Sequence, residues 1–131
     1  MVTNGEAQAL VRRLVDAVWN GTAEDVAPSL LADPEAALAW HRDRRTSFPD
    51  LAYTVVEVVA DGDRVSWRWS ATGTQRGAFG PVPPTGKRVE YAGATFARVD
   101  DEGLLTDVWS VNELFQLVTQ LGATVTPPVP G

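Results

Sequence analysis

The sequence has 131 residues, a net charge of −6 and no cysteine, which indicates one acidic domain and excludes disulfides and cysteine–zinc sites. A single histidine excludes a histidine-rich metal site, so we expect no metal, and the acidic balance disfavours a nucleic acid as partner. The N-terminus has no basic stretch followed by an apolar segment, and no apolar run is long enough to span a membrane. We therefore expect a cytoplasmic protein with no membrane partner.

The N-terminal part of the sequence predicts three helices. The stretch Thr3–Glu6 fits a capping box, and apolar residues then recur at helical spacing as far as Gly21, which should end this helix. A short second helix is expected after Thr22, whose hydroxyl can cap it. The pair Asp33–Pro34 begins a third helix, because aspartate caps well and proline suits the first turn, and this helix should end near Ser47.

From residue 51 onward the pattern is that of strands and a closing helix. Apolar alternation and runs of β-branched residues predict four strands, at Tyr53–Val59, Val65–Ala71, Arg88–Val99 and Leu104–Trp109. Gly77–Gly86 contains three prolines and three glycines and is predicted to be a loop. Asn112 can cap a final helix that Gly122 should end.

These elements predict an α+β domain in which three helices pack on one face of a strongly curved, mainly antiparallel sheet. The space between the helices and the sheet can become a pocket. We assign residues 1–124 to this domain and the proline-rich residues 125–131 to an extended tail. Apolar residues remain on the outer face of the sheet, so we expect a second copy to cover that face in a homodimer.

Four short stretches carry a resemblance to a known family. They are Phe48–Leu51, Gly73–Gly77, Pro83–Lys87, and Trp109 followed by Glu113 and Gln120–Gly122. In their order and spacing the chain resembles the SnoaL-like polyketide cyclase family, which has the nuclear transport factor 2-like fold. The resemblance implies a cone-shaped domain, no cofactor and a polyketide-like apolar ligand. Members of the family and relatives of the same fold perform aldol cyclisation, epoxide hydrolysis, hydroxylation or ether-ring formation.

The chain differs from the family's pattern at four positions. Gln75 stands where many relatives have histidine, and Glu113 stands where many have aspartate. The resemblance places Thr95 at the supporting histidine of the aldol cyclases and Ser110 at their acid–base aspartate. The segment around residues 31–35, which normally helps to wall the pocket, is also shorter.

His41 and Glu113 are the candidate catalytic residues. His41 is the one side chain that ordinarily titrates near neutral pH, and its helical spacing from Phe48 favours an inward position. The alternative is a surface or partly buried histidine within the charged run Arg42–Arg45, which we interpret as a solvated helix face. The resemblance places Glu113 at the family's acid, where a pocket would let it act as general acid. Its alternative role is to complement the dipole at a helix start.

The candidate ligand-binding residues combine aromatic walls with hydrogen-bonding groups. They are Trp40, Trp67, Trp69, Gln75, Tyr91, Thr95, Val108 and Ser110. Tyr91 has the same strand parity as Thr95, so both should face the pocket if either does. Each residue also has a structural alternative: the tryptophans as core, Gln75 as a turn-stabilising amide and Tyr91 as a packing residue.

Two classes of function remain open from the sequence. The first is a cofactor-free enzyme of secondary metabolism, such as antibiotic biosynthesis, that uses general acid–base chemistry for cyclisation, isomerisation or epoxide opening. The second is a non-catalytic small-molecule-binding or dimerisation domain, or an accessory protein of a biosynthetic enzyme. Replacement of the cyclase groups at Thr95 and Ser110 supports the second class.

Overall fold

A four-stranded antiparallel sheet forms the frame of the computed structural model, which describes residues 2–21 and 23–130. The strands are β1 (Ala52–Asp61), β2 (Arg64–Thr74), β3 (Arg88–Val99) and β4 (Leu105–Asn112), and they pair in chain order. β-Bulges between Val55 and Glu57 and between Phe96 and Arg98 bend the strands, so the sheet curves. The four predicted strands and the α+β fold class are confirmed.

The first predicted helix begins as expected but changes its winding midway. Helix α1 (Asn4–Leu14) starts with the predicted capping box, in which Glu6 N–H donates to Thr3 Oγ1 at 3.1 Å. The chain then widens into a π-helical turn over Val15–Trp19. It leaves the helix by Gly21, where an added Cβ would collide with carbonyl groups of the preceding turn.

The second and third helical segments differ in kind. The second is a short 3₁₀ helix over Glu24–Ser29, and its predicted cap, Thr22, lies outside the described residues. Helix α2 (Pro34–Ser47) has the predicted bounds, because Asp33 Oδ1 accepts from the N–H of Ala36 at 3.4 Å and proline occupies the first turn.

The closing helix, α3 (Leu114–Gln120), is capped differently from the prediction. Asn112 does not cap it, because Asn112 is still the last residue of β4 and pairs with Gly93 of β3. The cap position belongs to Glu113, which makes no side-chain capping hydrogen bond. Gly122 ends the helix as predicted, with a left-handed φ of 97° that favours glycine.

The core lies between the helices and the inner face of the sheet. On β2 the odd-numbered residues Val65, Trp67, Trp69 and Ala71 are all buried, as their alternation predicted. The ring of Trp19, from the π-helical turn, packs on both strand tryptophans, with centroid distances of 5.7 and 5.8 Å. Truncating one of these buried rings to alanine should cost about 3–5 kcal/mol.

The connecting segments and the C-terminal residues have little regular structure. The predicted loop at Gly77–Gly86 is confirmed and contains one tight turn, in which Phe79 and Val82 exchange two backbone hydrogen bonds of 2.9 and 3.0 Å. Residues 123–130 carry no helix or strand. No helix within the described ranges combines the length and the apolar character needed to cross a bilayer.

Candidate functional site

Four polar side chains meet inside the molecule, between α2 and the sheet. We call His41, Arg44, Tyr53 and Tyr91 the interior polar cluster; all four are buried. His41 and Arg44 lie three residues apart on the inward stripe of α2. Tyr53 of β1 and Tyr91 of β3 both pair with Ala71 of β2, so the register places the two phenols on either side of a small residue.

His41 is enclosed by aromatic rings. It is 6% exposed, and its ring lies 5.3 Å from that of Trp19 and 4.9 Å from that of Trp40. Burial, followed by the nearby charges of Arg45 and Arg44, lowers the pKa of His41 from 6.5 to about 4. The imidazole is therefore neutral at pH 7 and able to accept a proton. The structure places His41 inward and does not support the surface alternative.

The two tyrosines are held as neutral phenols. Burial raises the pKa of Tyr53 and that of Tyr91, and the charge of Arg44 offsets part of the rise at each hydroxyl. The Tyr53 hydroxyl is buried and has no hydrogen-bond partner among the described residues. Because a buried hydroxyl without a partner is unfavourable, its O–H is available to a ligand oxygen.

Arg44 brings a positive charge into this interior. Its guanidinium carbon lies 4.8 Å from the ring centroid of Trp40, 5.0 Å from that of Phe79 and 6.0 Å from that of Tyr91. Its Nη1 donates to the Tyr91 hydroxyl at 3.5 Å. The interpretation of Arg42–Arg45 as a solvated face is wrong for Arg44, since Arg44 is only 9% exposed. The signal that could have found it is its spacing of three residues from His41.

Gln75 serves the loop that follows β2. Its Oε1 accepts from the N–H and the hydroxyl of Thr85, at 3.0 and 2.6 Å, and its Nε2 donates to the Val82 carbonyl at 3.3 Å. The side chain is fully buried. These bonds favour the turn-stabilising alternative for Gln75 over contact with a ligand.

Glu113 lies at the surface, at the junction of β4 and α3. Its carboxylate accepts from the Ala92 N–H of β3 at 2.9 Å, and its own N–H donates to the Ala92 carbonyl at 2.9 Å. Glu113 is exposed, and no hydrogen bond joins it to His41 or Tyr91 among the described residues. The structure therefore does not gather the two predicted catalytic residues into one cluster.

Thr95 and Ser110 form a hydroxyl pair. Thr95 Oγ1 lies 2.8 Å from Ser110 Oγ and accepts from the indole N–H of Trp69 at 3.0 Å. Thr95 is fully buried and faces inward with Tyr91, as the strand parity predicted, whereas Ser110 is exposed. The resemblance placed a histidine and an aspartate of the aldol cyclases at these two positions. This chain has two hydroxyl groups there, and one of them, on Thr95, binds the core tryptophan Trp69.

The predicted aromatic walls divide between core and surface. Trp67 and Trp69 are buried, whereas Trp40 and Val108 are exposed. The indole N–H of Trp67 is buried without a hydrogen-bond partner in the described part of the chain. These large rings pack on Trp19 and Tyr53 and occupy part of the space between the helices and the sheet.

Two cavities open at the surface instead. One, of about 290 Å³, lies between α1 and β1 and is bordered by Arg12, Asp16 and Tyr53 among others. The second, of about 350 Å³, is bordered by the turn at Gly62 and by acidic residues that include Asp100. Of the interior polar cluster only Tyr53 borders either of them. Within residues 2–21 and 23–130, no three histidine, aspartate or glutamate side chains are grouped so as to hold a metal ion.

Helices over a curved antiparallel sheet, with polar groups buried beneath them, define the nuclear transport factor 2-like class. The sequence matches the model of the SnoaL-like polyketide cyclase family over residues 9–121, and the chain belongs to that family. No curated protein sequence matches it.

Solved structures agree with this assignment. TsrD from Streptomyces laurentii has a TM-score of 0.86 at 23% identity, over 95% of this chain and all of TsrD (100%). A proposed SnoaL-like polyketide cyclase from Jannaschia sp. CCS1 has a TM-score of 0.82 at 26% identity, over 95% of each chain. AclR from Streptomyces galilaeus, a proposed hydroxylase, has a TM-score of 0.80 at 26% identity, over 92% of this chain and 98% of AclR.

Proposed function

We propose that this protein is a cytoplasmic, cofactor-independent enzyme of secondary metabolism. It acts on a polyketide-like apolar molecule by proton transfer, in a cyclisation, an isomerisation or an epoxide opening. The observation that carries the proposal is a buried neutral histidine beside two phenols and a guanidinium. Membership of the SnoaL-like polyketide cyclase family and the likeness to a proposed polyketide cyclase from Jannaschia sp. CCS1 support the same class of reaction.

The interior polar cluster has the groups that an enolate-forming step requires. The imidazole of His41 accepts a proton from a carbon next to a ligand carbonyl, and the electron pair of that C–H bond moves to the carbonyl oxygen. The O–H groups of Tyr53 and Tyr91 donate hydrogen bonds to the resulting oxyanion. The positive charge of Arg44 weakens His41 as a base but stabilises the enolate. His41 then returns the proton to complete the reaction.

In this proposal His41 carries the proton transfer, and Glu113 holds α3 against β3. The assignment rests on burial: His41 lies inside the aromatic interior, whereas the Glu113 carboxylate is exposed and bound to the backbone of Ala92. The apolar rings around His41 can keep water away from the reacting atoms. The carboxylate of Glu113 is exposed, so water has access to it.

The test is hydrogen–deuterium exchange at the activated carbon of 2-tetralone, followed by NMR in D₂O. The protein should accelerate the exchange, and His41→Gln should reduce the acceleration by roughly 10²–10⁴-fold. Glu113→Gln should keep most of it. Loss in Glu113→Gln with retention in His41→Gln would contradict the assignment. No acceleration by the unmodified protein would support the second candidate function.

That second candidate is a non-catalytic small-molecule-binding domain or an accessory protein. Two observations favour it: the Thr95–Ser110 hydroxyl pair cannot replace a histidine and an aspartate in proton transfer, and aromatic rings fill much of the interior. A protein of this kind would bind an apolar ligand in the interior polar cluster without accelerating exchange.

A further inference from the structure

Arg44 is a buried cation that forms no ion pair within residues 2–21 and 23–130. The ion pairs in the described part of the chain are Arg42–Glu24, Arg68–Glu57, Arg98–Asp63 and Arg98–Asp107, and none of them includes Arg44. Removing a guanidinium from water is costly unless a carboxylate or several acceptors replace the water. The three aromatic rings around Arg44 stabilise the charge through their faces, but ring faces are poor substitutes for hydrogen-bond acceptors.

The hydrogen bonds of this site also show more donors than acceptors. A guanidinium has five N–H donors, and the one hydrogen bond that Arg44 makes among the described residues is a long one, 3.5 Å, to the Tyr91 hydroxyl. The Tyr53 hydroxyl, 4% exposed as a residue, makes no hydrogen bond of ordinary geometry in that part of the chain, although the phenol of Tyr91 lies close enough to affect its pKa. The site therefore holds several unused donors and no carboxylate to accept from them.

Two of the aromatic rings in contact with Arg44 are partly exposed to solvent. Trp40 is 40% exposed, and Phe79 is half-buried on the tight turn that Gly80 permits with its left-handed φ of 55°. Both rings lie about 5 Å from the guanidinium, so a planar apolar molecule can stack on them while its polar end reaches Arg44.

We propose that the interior polar cluster binds the carboxylate of a planar, apolar acid, with Arg44 as its anchor. The guanidinium donates two parallel N–H bonds to the carboxylate oxygens. The apolar body stacks on Trp40 and Phe79. The inference names the ligand class of the site to which the proposed function also belongs, but binding requires no catalysis.

The test compares 2-naphthoate with 2-naphthamide by isothermal titration calorimetry. The two probes have the same planar body and differ in charge. The unmodified protein should bind the acid at least about tenfold more tightly than the amide, because only the acid pairs with the guanidinium. Arg44→Gln should abolish the difference. Arg44→Lys should reduce it, because an ammonium keeps the charge but lacks the bidentate geometry.

Arg42→Gln is the matched control. Arg42 lies on the same helix, is exposed and pairs with Glu24, so its replacement should preserve the preference for the acid. Equal binding of acid and amide by the unmodified protein would overturn the proposal, and this comparison needs no variant to fold. A preference that persists in Arg44→Gln would also overturn it. If the protein prefers the acid but does not accelerate proton exchange in 2-tetralone, the result contradicts only the proposed function.

Discussion

At the scale of single residues, the burial of His41 makes the stability of the folded protein depend on pH. Its folded pKa is about 4, below the ordinary value of 6.5, so the unfolded chain takes up a proton first as the pH falls. The contribution of neutral His41 to the free energy of unfolding is therefore fully present above about pH 6.5 and is lost progressively as the pH falls towards 4. Arg44 and Arg45 act on it from its own helix, and Tyr53 and Trp19 face it from other elements.

We expect the free energy of unfolding to fall by about 2 kcal/mol between pH 7 and pH 5 because of this one group. Urea unfolding at the two pH values measures the change. His41→Phe keeps an aromatic ring but cannot bind a proton, so its stability should vary much less over the same range. An equal loss in both proteins would show that other groups cause the dependence.

Arg44 allows a second prediction at this scale. Arg44→Met keeps an unbranched side chain of similar reach and removes the unpaired buried charge, so the free energy of unfolding should rise by roughly 1–3 kcal/mol. Arg42→Met, at an exposed ion pair, should change it by less than about 1 kcal/mol. Urea unfolding of both variants provides the comparison. Destabilisation by Arg44→Met would mean that the contacts with the three rings outweigh the cost of the charge.

At the scale of elements, Gly93 of β3 pairs with Trp69 of β2 at a tightly packed point of the sheet. A Cβ added at Gly93 would lie 2.6 Å from the Val111 carbonyl oxygen and would also overlap the Trp69 ring. The same ring is fixed by its hydrogen bond to Thr95. Glycine is therefore required at this position by close packing, although its φ is not in the left-handed region.

Gly93→Ala should accordingly lower the free energy of unfolding by about 1–3 kcal/mol, the usual range for overpacking, or by more if the ring cannot move. Gly62→Ala is an informative comparison, because nothing lies within 4 Å of its added Cβ and only its φ of 62° opposes the change. Thermal unfolding and near-ultraviolet circular dichroism of both variants would test this. An unchanged tryptophan signal and stability in Gly93→Ala would contradict it.

The elements could be predicted from the sequence because their signals are local. The capping box at Thr3, the Asp33–Pro34 start and the alternation on β2 each lie within a few residues. The burial of Arg44 had a weaker local signal, because its immediate neighbours along the chain are charged and only its spacing of three residues from His41 indicates an inward position. Phe79 and Tyr91, which surround it, belong to other elements.

The stretches that carry the family resemblance mostly hold the fold together. Asp50 accepts from the Thr74 N–H at 2.7 Å, which joins the first stretch to the second. Gln75 binds Thr85, which joins the second to the third. A similar role falls to Gln120, whose amide bonds to the backbone of Glu90. Such residues identify the family reliably, but they lie outside the interior polar cluster and so do not specify the reaction.

At the scale of the whole molecule, the outer face of the sheet is the main surface without a cover. Phe96 of β3 and Trp109 of β4 pair across the strands with ring centroids 5.6 Å apart, and Val111 lies beside them. All three are exposed, Trp109 by 60%. We propose that a second copy of the chain covers this patch, because contiguous aromatic surface of this kind is typical of an interface.

Light scattering should then give about twice the monomer mass of 14.1 kDa. Trp109→Glu places a charge in the centre of the patch and should shift the equilibrium to the monomer, because a buried unpaired carboxylate is strongly unfavourable. Glu57→Gln, on the outer face of β1, should leave the mass unchanged. A monomer mass for the unmodified protein at high concentration would contradict the dimer.

The π-helical turn at Val15–Trp19 has a consequence for how this chain could change by insertion or deletion. Successive residues are rotated by about 100° in an α-helix and by less in a wider π-helical turn, so winding these five residues as α-helix would point Trp19 in a different direction. The indole would then leave His41, Tyr53 and both strand tryptophans at once. An insertion or deletion is therefore tolerated here only if the winding of the turn changes with it, so that the ring keeps its place in the core.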